Sequence, residues 1–512
     1  MSGSHAAGHK RSGLGTWLVF LLIAALLTLL LLLGWSVGTG HLSTLLAPGK
    51  EGKSLRVGVR SIPTSLDIRK EQDKSVEQIL LGNVYETLVS RDEQNQLKPG
   101  LAKEWKVSDD GLTYQFTMRN GLHFSNGHSL TAEEAVSSLK ATVEGQYLGA
   151  SELEGLAKVS NSDDQHLTIS LSRPRPGLLR ALSGRTGIVY DKANSDYGKT
   201  AVGSGPFTVS DFSAGQTIGM AKNTSYWGKQ ASIDKLAFLH YTDNAAMSKA
   251  LKEGKIQLAI PQAREMNDKL FTGTGLQVRS GQTTEKVLLA YNSGSNSIYA
   301  DEHMRQGTRH LLDTASIASS QPDAAGPLGG PISPLEPGYE DLTGLFPFDK
   351  DKGRRLLSYF SSRYIGTLDL LVPQPYQSLG ETISQQLQDN GGLSVKMEVL
   401  SQEAVEQRMA DGLYTLALMT MDQPEDTDIF AGDSILHYQN RRAQDLYEQV
   451  MAASNDQAYQ EALKAYAREV SQNAASDWLY TRKSLVVASG KLHDYPVNMV
   501  DERLPLAAIR MD

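Results

Sequence analysis

Residues 109–134 read DDGLTYQFTMRNGLHFSNGHSLTAEE, and this stretch predicts a strand, a turn and a helix in succession. Apolar side chains occupy every second position of its first part: Leu112, Tyr114, Phe116 and Met118. Such alternation is typical of a strand that buries one face. Asn126-Gly127 favours a turn, and Thr131 precedes Glu134 by three residues, which is the spacing of a helix capping box. The stretch therefore predicts a fold that mixes strands and helices.

Patterns on either side of this stretch predict the same mixture. Residues 54–59 alternate like a first strand, and residues 416–421 have the pattern of a buried or half-buried strand. Helical spacing occurs at three places: Val76 to Leu88, Leu446 to Met451, and Leu463 to Val470. Residues 321–331 are rich in proline and glycine and predict a loop. The patterns alone thus allow an α/β or an α+β architecture.

The composition excludes several kinds of function. The chain has 512 residues, enough for two or three domains, and no cysteine, which excludes disulfides, thiolate metal sites and cysteine nucleophiles. Its net charge is −8, although the first 50 residues carry basic residues and no acid. The body of the chain is therefore acidic, which argues against non-specific binding of nucleic acid.

An apolar run, WLVFLLIAALLTLLLLLGW at 17–35, predicts one N-terminal transmembrane helix. Its first 18 residues would span about 27 Å as a helix, close to the hydrocarbon thickness of a bilayer. A tryptophan stands at each end, where an aromatic belt would lie. Basic residues in segment 1–16 place that segment in the cytoplasm, and residues 36–53 form a glycine-rich tether. We expect a single-pass protein of the cell membrane whose body is extracytoplasmic; a cleaved secretion signal is the alternative.

The sequence lacks the residue patterns typical of catalysis. Gly198-Lys199-Thr200 ends like a phosphate-binding loop, but Ala193 stands where such a loop needs glycine. No H-E-x-x-H or G-x-S-x-G motif occurs. The acidic residues 422–428 lack the central glycine of a calcium loop. We therefore predict a binding protein rather than an enzyme, with no cofactor and no metal.

Three ordered series of motifs run through the chain. The first contains NVYETLV at 83–89, LKPGLAKEW at 97–105 and the stretch at 109–134. The second contains GSGPF at 203–207, NTSYWG at 223–228 and ALKEG at 250–254, and the third contains Tyr291-Asn292, Met304-Arg-Gln306 and Leu312-Asp313. In this order and spacing they resemble the family 5 extracellular solute-binding proteins, the peptide, oligopeptide and nickel receptors of bacterial ABC importers. The resemblance covers about residues 54–512.

The resemblance implies an α/β fold with two lobes, in the large three-subdomain form (type II) of the periplasmic-binding-protein fold, which closes on its ligand by a hinge. The first lobe would comprise residues 54–275 and 482–512, with a subdomain near 76–198. The second lobe would comprise residues 276–481. The chain would cross between the lobes at two places: near 276–284 and near 478–484.

The motifs themselves have simple structural explanations. Trp105 and Tyr114 are predicted to be core aromatics, and Gly203 and Gly205 suit a backbone that another segment approaches closely. We therefore expect the motifs to build the scaffold rather than the ligand site.

The resemblance also implies an acid that binds the ligand. In peptide-binding members an acid just after a strand of the second lobe pairs with the amino terminus of the ligand. The matching stretch here is YTLALMTMDQP at 414–424, in which Asp422 follows the predicted strand. A partly buried carboxylate that faces an ammonium is a strong recognition element. A solvated turn is the alternative explanation of Asp422.

Five further residues are candidates for the ligand site: Ser65, Met419, Met421, Trp478 and Tyr480. The methionines could line an adaptable apolar pocket. Trp478 and Tyr480 lie near the second crossing and could close over the ligand, or pack in the core. Ser65 belongs to IPTSLD at 62–67, which resembles a loop that borders the cleft in relatives.

These observations predict the extracytoplasmic substrate-binding subunit of an ABC importer. It would bind peptides in the interlobe cleft by hinge closure and deliver them to a permease that works with an ATPase subunit. We expect a monomer that binds no nucleic acid. Two alternatives remain: a receptor for a nickel chelate, haem or a sugar, and a tethered sensory or chaperone-like module without a role in transport.

Overall fold

The computed structural model describes residues 52–194, 196–267, 269–501 and 503–512. Lys53–Asp512 form one unit. The predicted membrane helix at 17–35 lies outside the described residues. Within the part of the chain that is described, no helix is both long enough and apolar enough to cross a bilayer.

The strands lie along the whole described chain. In chain order they are β1 (Ser54–Val59), β2 (Val89–Arg91), β3 (Leu97–Pro99), β4 (Ala102–Val107), β5 (Thr113–Met118), β6 (Leu156–Asn161), β7 (His166–Leu171), β8 (Phe207–Ser213), β9 (Thr217–Lys222), β10 (Lys235–His240), β11 (Leu258–Ala259), β12 (Leu276–Tyr291), β13 (Ala324–Pro327), β14 (Thr367–Pro373), β15 (Ser394–Leu400), β16 (Leu416–Met421), β17 (Ser476–Ser489), β18 (Leu492–His493) and β19 (Arg510–Met511).

The α-helices are interspersed with these strands. They are α1 (Ser75–Leu80), α2 (Ala132–Glu144), α3 (Leu178–Ala181), α4 (Asn244–Lys252), α5 (Glu302–Leu311), α6 (Thr314–Ser320), α7 (Lys350–Leu357), α8 (Ser362–Ile365), α9 (Gln377–Gly391), α10 (Gln402–Ala410), α11 (Arg441–Ala452) and α12 (Asp456–Gln472).

One large sheet runs through the molecule in the order β15-β14-β16-β12-β17-β11-β1-β10-β9-β8, with β13 added on β17. Its centre is the antiparallel pair of long strands β12 and β17, which are paired from Leu276 and Ser489 at one end to Ala290 and Ser476 at the other. Parallel pairs flank this centre, with β1 beside β10 on one side and β14 beside β15 on the other. The two long strands therefore carry the sheet from one lobe to the other.

Separate hydrophobic cores define the two lobes. The main core of the first lobe combines residues 55–260 with residues 486–509, so the end of the chain returns to it. The cores of the second lobe draw on residues 287–480. Because β12 and β17 contribute to the cores of both lobes, they are the structural connection between them.

The stretch at 109–134 folds as its pattern predicts. β5 forms the centre of a four-stranded antiparallel sheet in the order β4-β5-β7-β6, and Tyr114, Phe116 and Met118 are buried. α2 begins after Thr131, and the capping box between Thr131 and Glu134 is present. This sheet and helix enclose a core of their own in the first lobe.

The sequence motifs hold the scaffold together, as predicted. The Glu86 carboxylate accepts hydrogen bonds from Ser204 Oγ (2.8 Å), Tyr226 Oη (2.9 Å) and Trp227 Nε1 (2.8 Å), which joins three motifs at one half-buried acid. A Cβ at Gly203 would lie 1.9 Å from the carbonyl oxygen of Val84, so only glycine fits there. Tyr114 is a core residue, and Trp105 packs against the same core half-buried.

Two predictions of local structure need correction. The helical spacing from Val76 to Leu88 predicts a longer helix than α1, which ends at Leu80 because Gly82 turns the chain with a φ of 79°. Residues 321–331 are not a simple loop, since β13 pairs within them against β17. Proline and glycine obscured this short edge strand.

Candidate ligand-binding cleft

Asp422 stands at the end of β16, as the sequence predicts. β16 lies against β12 in antiparallel register, from Tyr291 opposite Leu416 to Lys286 opposite Met421. Asp422, the residue after β16, therefore lies just beyond the sheet, at the point where β12 passes out of the second lobe. A short 3-10 helix, Pro424–Phe430, follows directly and fixes the turn.

The carboxylate of Asp422 is held in one orientation. Its Oδ1 accepts a hydrogen bond from Thr284 Oγ1 at 2.5 Å, and its Oδ2 lies 3.7 Å from Lys74 Nζ. The backbone N–H groups of Asp422 and Gln423 donate to Asp426 Oδ2 at 2.8 and 2.9 Å. Burial raises the pKa of Asp422, while the nearby ammonium of Lys74 acts in the opposite direction. Since 26% of the side chain is still exposed, the carboxylate remains within reach of a ligand.

A fully buried ion pair supports the backbone beneath Asp422. Lys286 Nζ donates to Glu336 Oε1 at 2.6 Å and to the carbonyl oxygen of Asp422 at 3.1 Å. Glu336 Oε2 accepts from the backbone N–H of Ser333 at 2.6 Å. Neither Lys286 nor Glu336 has an exposed side chain. Burial raises the pKa of Glu336 to about 7, although the Lys286 ammonium lowers it.

Two adjoining cavities meet at Lys74 and Asp422. One has a volume of about 310 Å³, and its lining includes Arg60 and Asp73 from the first lobe and residues 283–285 and 482–485 of the long strands. The other has a volume of about 420 Å³ and is lined by residues of the first lobe together with Asp422 and Gln423. We call the two together the cleft. Volumes of this size suit a small ligand.

Lys483 is a second charged residue of the cleft. It lies on β17, lines the same cavity of about 310 Å³ as Asp422, and is half-buried. Its ammonium group has no hydrogen-bond or ion-pair partner among the described residues. A half-buried cation in this situation favours an anionic partner.

Charged groups connect the lobes on one side of the cleft. Arg264 of the first lobe places Nε 2.7 Å from Oδ2 of the buried Asp323 and stacks its guanidinium 3.3 Å from the centre of the Tyr376 ring, both in the second lobe. Asp323 Oδ2 also lies 3.2 Å from Arg482 Nε. Arg482 Nη1 in turn donates to Glu285 Oε2 at 2.6 Å. Movement of the lobes about the long strands would break the contacts of Arg264.

A second connection between the lobes joins Gln423 to Asp501. Gln423 Nε2 of the second lobe donates to Asp501 Oδ1 of the first lobe at 2.7 Å. Asp501 also pairs with Arg91 and, at 2.8 Å, with Arg503. The two arginines hold the pKa of this buried carboxyl at about 2 even though burial raises it. Asp501 is therefore ionised at neutral pH.

The other predicted site residues lie apart from the cleft cavities. Met421 and Trp478 are buried in one core of the second lobe, and Met419 packs against that core half-buried. Tyr480 is buried in the other core and donates its hydroxyl to Asp323 Oδ1 at 3.1 Å. Ser65 Oγ accepts from the backbone N–H of Asp67 at 3.1 Å and stabilises a turn. A role of these five residues in ligand binding stays a prediction.

Three residues close to Asp422 were not predicted from the sequence. Thr284 and Lys286 are separated from Asp422 by more than 130 positions, and Glu336 belongs to a loop. Two facts could have pointed to them. A lysine within an otherwise apolar strand pattern, as at Lys286, requires an anion, and the strand crossing predicted near 276–284 must pass the cleft.

The two-lobed α/β fold is that of the periplasmic type of solute-binding protein. Its fold matches the crystal structure of the ABC transporter substrate-binding protein CtaP from Listeria monocytogenes with a TM-score of 0.80 at 19% identity, over 90% of this chain and 100% of that one.

Sequence comparison identifies the family. Residues 96–435 match the bacterial extracellular solute-binding proteins, family 5 (middle), and the chain belongs to this family. The glutathione-binding protein GsiB of Salmonella choleraesuis is 25% identical over 333 residues, a match that covers 63% of this chain but only 64% of GsiB. The oligopeptide-binding protein AppA of Bacillus subtilis is 23% identical over 491 residues, covering 87% of this chain and 89% of AppA. The predicted family and the predicted two-lobed fold are thus confirmed.

Proposed function

We propose that this protein is the extracytoplasmic substrate-binding subunit of an ABC importer and that it binds peptides in the cleft. Asp422 is the observation that carries the proposal. A partly buried carboxylate at a strand end, oriented by Thr284 and open to both cavities, is suited to the ammonium group of a peptide. The relation to AppA, whose name describes an oligopeptide-binding protein, supports the same ligand class.

Lys483 suits the opposite end of a short peptide. Because it lines the same cavity as Asp422, a zwitterionic ligand would give each of the two charged groups a partner. Backbone hydrogen bonds and water would accommodate different side chains between these ends. Closure of the lobes around the ligand would then present the liganded form to a permease and its ATPase, and the protein itself would catalyse no reaction.

Titration calorimetry with peptides of two to six residues tests this function. We expect binding by the wild-type protein, and a loss of about 2 kcal/mol, or about 30-fold in affinity, on Asp422→Asn, because the ligand ammonium loses its ionic partner. Asp445→Asn is the control, since Asp445 is an exposed acid on α11 that pairs with Arg441. Heat with a nickel chelate, haem or a sugar, and with no peptide, would instead favour the other ligands.

We further propose that residues 17–35 anchor the protein in the cell membrane with its body on the extracytoplasmic face. A bilayer-length apolar run with tryptophan at both ends and basic residues before it supports this proposal. The intact mass of the mature protein is the test. A mature chain that starts after about residue 36 would show a cleaved signal and refute the anchor.

A further inference from the structure

A larger cavity lies at the opposite end of the second-lobe sheet from Asp422. It forms beside the end of β12 and the beginnings of β14 and β16, and its volume is about 550 Å³. We call it the distal cavity. Thr415 lines it immediately before β16, whereas Asp422 follows β16. Six strand residues span about 20 Å, so the distal cavity is separate from the cleft.

The lining of the distal cavity is mostly polar, with Ile298, Ile365 and Leu368 as its aliphatic members. None of its described lining residues is Asp, Glu, Lys or Arg. The side chains of Ser295, Asn296, Thr415 and His437 line the cavity and form no hydrogen bond to another described residue. They provide hydroxyl, amide and imidazole groups that can both donate and accept. Such a set suits a neutral ligand with many hydroxyl groups and gives no ionic attraction to a charged one.

The backbone around this cavity is held in a rare conformation. His437 has a φ of 51°, in the left-handed region that residues other than glycine seldom adopt. It faces Gly412, where φ is 67° and an added Cβ would lie 3.4 Å from His437 Nε2. Asn292 fixes the same loop, since its Nδ2 donates to the Tyr414 carbonyl at 2.9 Å and its Oδ1 accepts from Gly294 N–H at 3.0 Å. Strained residues of this kind cluster at binding sites.

An exposed aromatic ring completes the lining. Tyr364 of α8 is 69% exposed and lines the cavity, with its ring stacked on Phe360 at 6.0 Å between ring centres. A sugar ring has an apolar C–H face and a rim of hydroxyl groups. Its C–H face can cover a tyrosine ring while the rim bonds to amides and hydroxyls. Tyr364 and the uncharged polar groups together match that combination.

We propose that the distal cavity is a second binding site, specific for a neutral saccharide and independent of the peptide cleft. The saccharide would pack on Tyr364 and bond to Asn296, Thr415 and His437. Since the site lies outside the cleft, its occupancy requires no closure of the lobes.

Ligand-observed NMR and calorimetry with three neutral trisaccharides test this proposal on the full-length protein: maltotriose, cellotriose and tri-N-acetylchitotriose. We expect at least one to bind, and Tyr364→Ala to weaken its binding about tenfold through loss of the ring face. Tyr359→Ala is the matched control. Tyr359 is 72% exposed and packs its ring against His303, but it does not line the cavity. That variant should bind the sugar as the wild type does.

The outcomes separate this site from the cleft. Saccharide binding that persists when the cleft is saturated with peptide, and that Tyr364→Ala weakens without changing peptide affinity, supports the proposal. Lack of binding by all three sugars overturns it and leaves the peptide-binding function intact. A sugar that binds equally well to wild type and Tyr364→Ala also overturns it, and would point to the cleft as the sugar site.

Discussion

Replacing Lys286 with methionine should destabilise the protein and weaken its ligand site together. Methionine keeps the length of the side chain but leaves the buried carboxyl of Glu336 without its cation. Breaking a buried pair in this way costs about 3–5 kcal/mol. For a unit of about 460 residues with an unfolding entropy of about 2.1 cal/mol/K per residue, the melting temperature should fall by about 3–5 °C.

The effect of Lys286→Met should depend on pH. Glu336 has a pKa of about 7 in the folded protein against an ordinary value of 4.5, so its contribution to stability is fully present below 4.5 and lost as the pH rises through 7. Without Lys286 the pKa of Glu336 in the folded protein rises further, so the variant continues to lose stability up to a higher pH. The difference in unfolding free energy between wild type and variant should therefore grow from pH 6 to pH 8.

Denaturant unfolding at several pH values, with peptide calorimetry on the same samples, measures both effects. The double variant Lys286→Met, Glu336→Leu removes both charges and should recover most of the lost stability. It should not recover peptide affinity, because the hydrogen bond from Lys286 to the Asp422 carbonyl is still absent. A single variant within about 1 kcal/mol of wild type, or a double variant no more stable than the single, would refute this reasoning.

Three further predictions concern charges at the cleft. Asp501 has a folded pKa of about 2 against an ordinary 3.8, so its contribution to the free energy of unfolding is present above pH 3.8 and lost as the pH falls through 2. Asp501→Asn should therefore flatten the fall in stability over that range in acid unfolding curves. Arg264→Gln removes the ionic contact with Asp323, and the unliganded protein should then show a larger radius of gyration in X-ray scattering; an unchanged radius would contradict a connecting role. In calorimetry, Lys483→Met should abolish any preference in binding for Ala-Ala-Ala over its C-terminal amide, whereas the exposed control Lys491→Met should keep that preference. A preference that persists in Lys483→Met would exclude Lys483 from the site.

Local patterns predicted much of the scaffold because their causes are local. The alternation at 112–118 and the capping box at Thr131 each depend on neighbours within a few positions, and both elements form where expected. The prediction that the helix continues beyond Leu80 was wrong, because the spacing of apolar residues does not reveal the turn at Gly82. The order of the motifs, rather than any one of them, predicted the family.

Of the candidate cleft, the sequence predicted the position of Asp422 but not the groups that surround it. Asp422 could be placed because it follows an apolar strand, and its position at the strand end depends on that strand alone. The groups that orient it come from β12 and from the loop that contains Glu336, and their proximity depends on the register between strands far apart in sequence. The hydrophobic pattern indicates which face of the sheet each side chain takes, but it does not say which residues of two strands far apart in sequence lie opposite each other.

An irregularity in β12 explains how one strand can serve both the sheet and the cleft. Gln282 pairs with Lys483 and Lys286 pairs with Thr481, so β12 has three residues between these pairs where β17 has one. Extra residues of this kind bend a strand and redirect its side chains.

The displaced residues 283–285 line the cleft, where Thr284 bonds to Asp422 and Glu285 to Arg482. In regular pairing these side chains would alternate between the two faces of the sheet. The bulge instead directs them toward the cleft. Because the bulge lies where the long strands pass between the lobes, a change of lobe orientation would move Thr284 relative to Asp422, and the binding proposed at Asp422 would then be coupled to the proposed closure of the lobes.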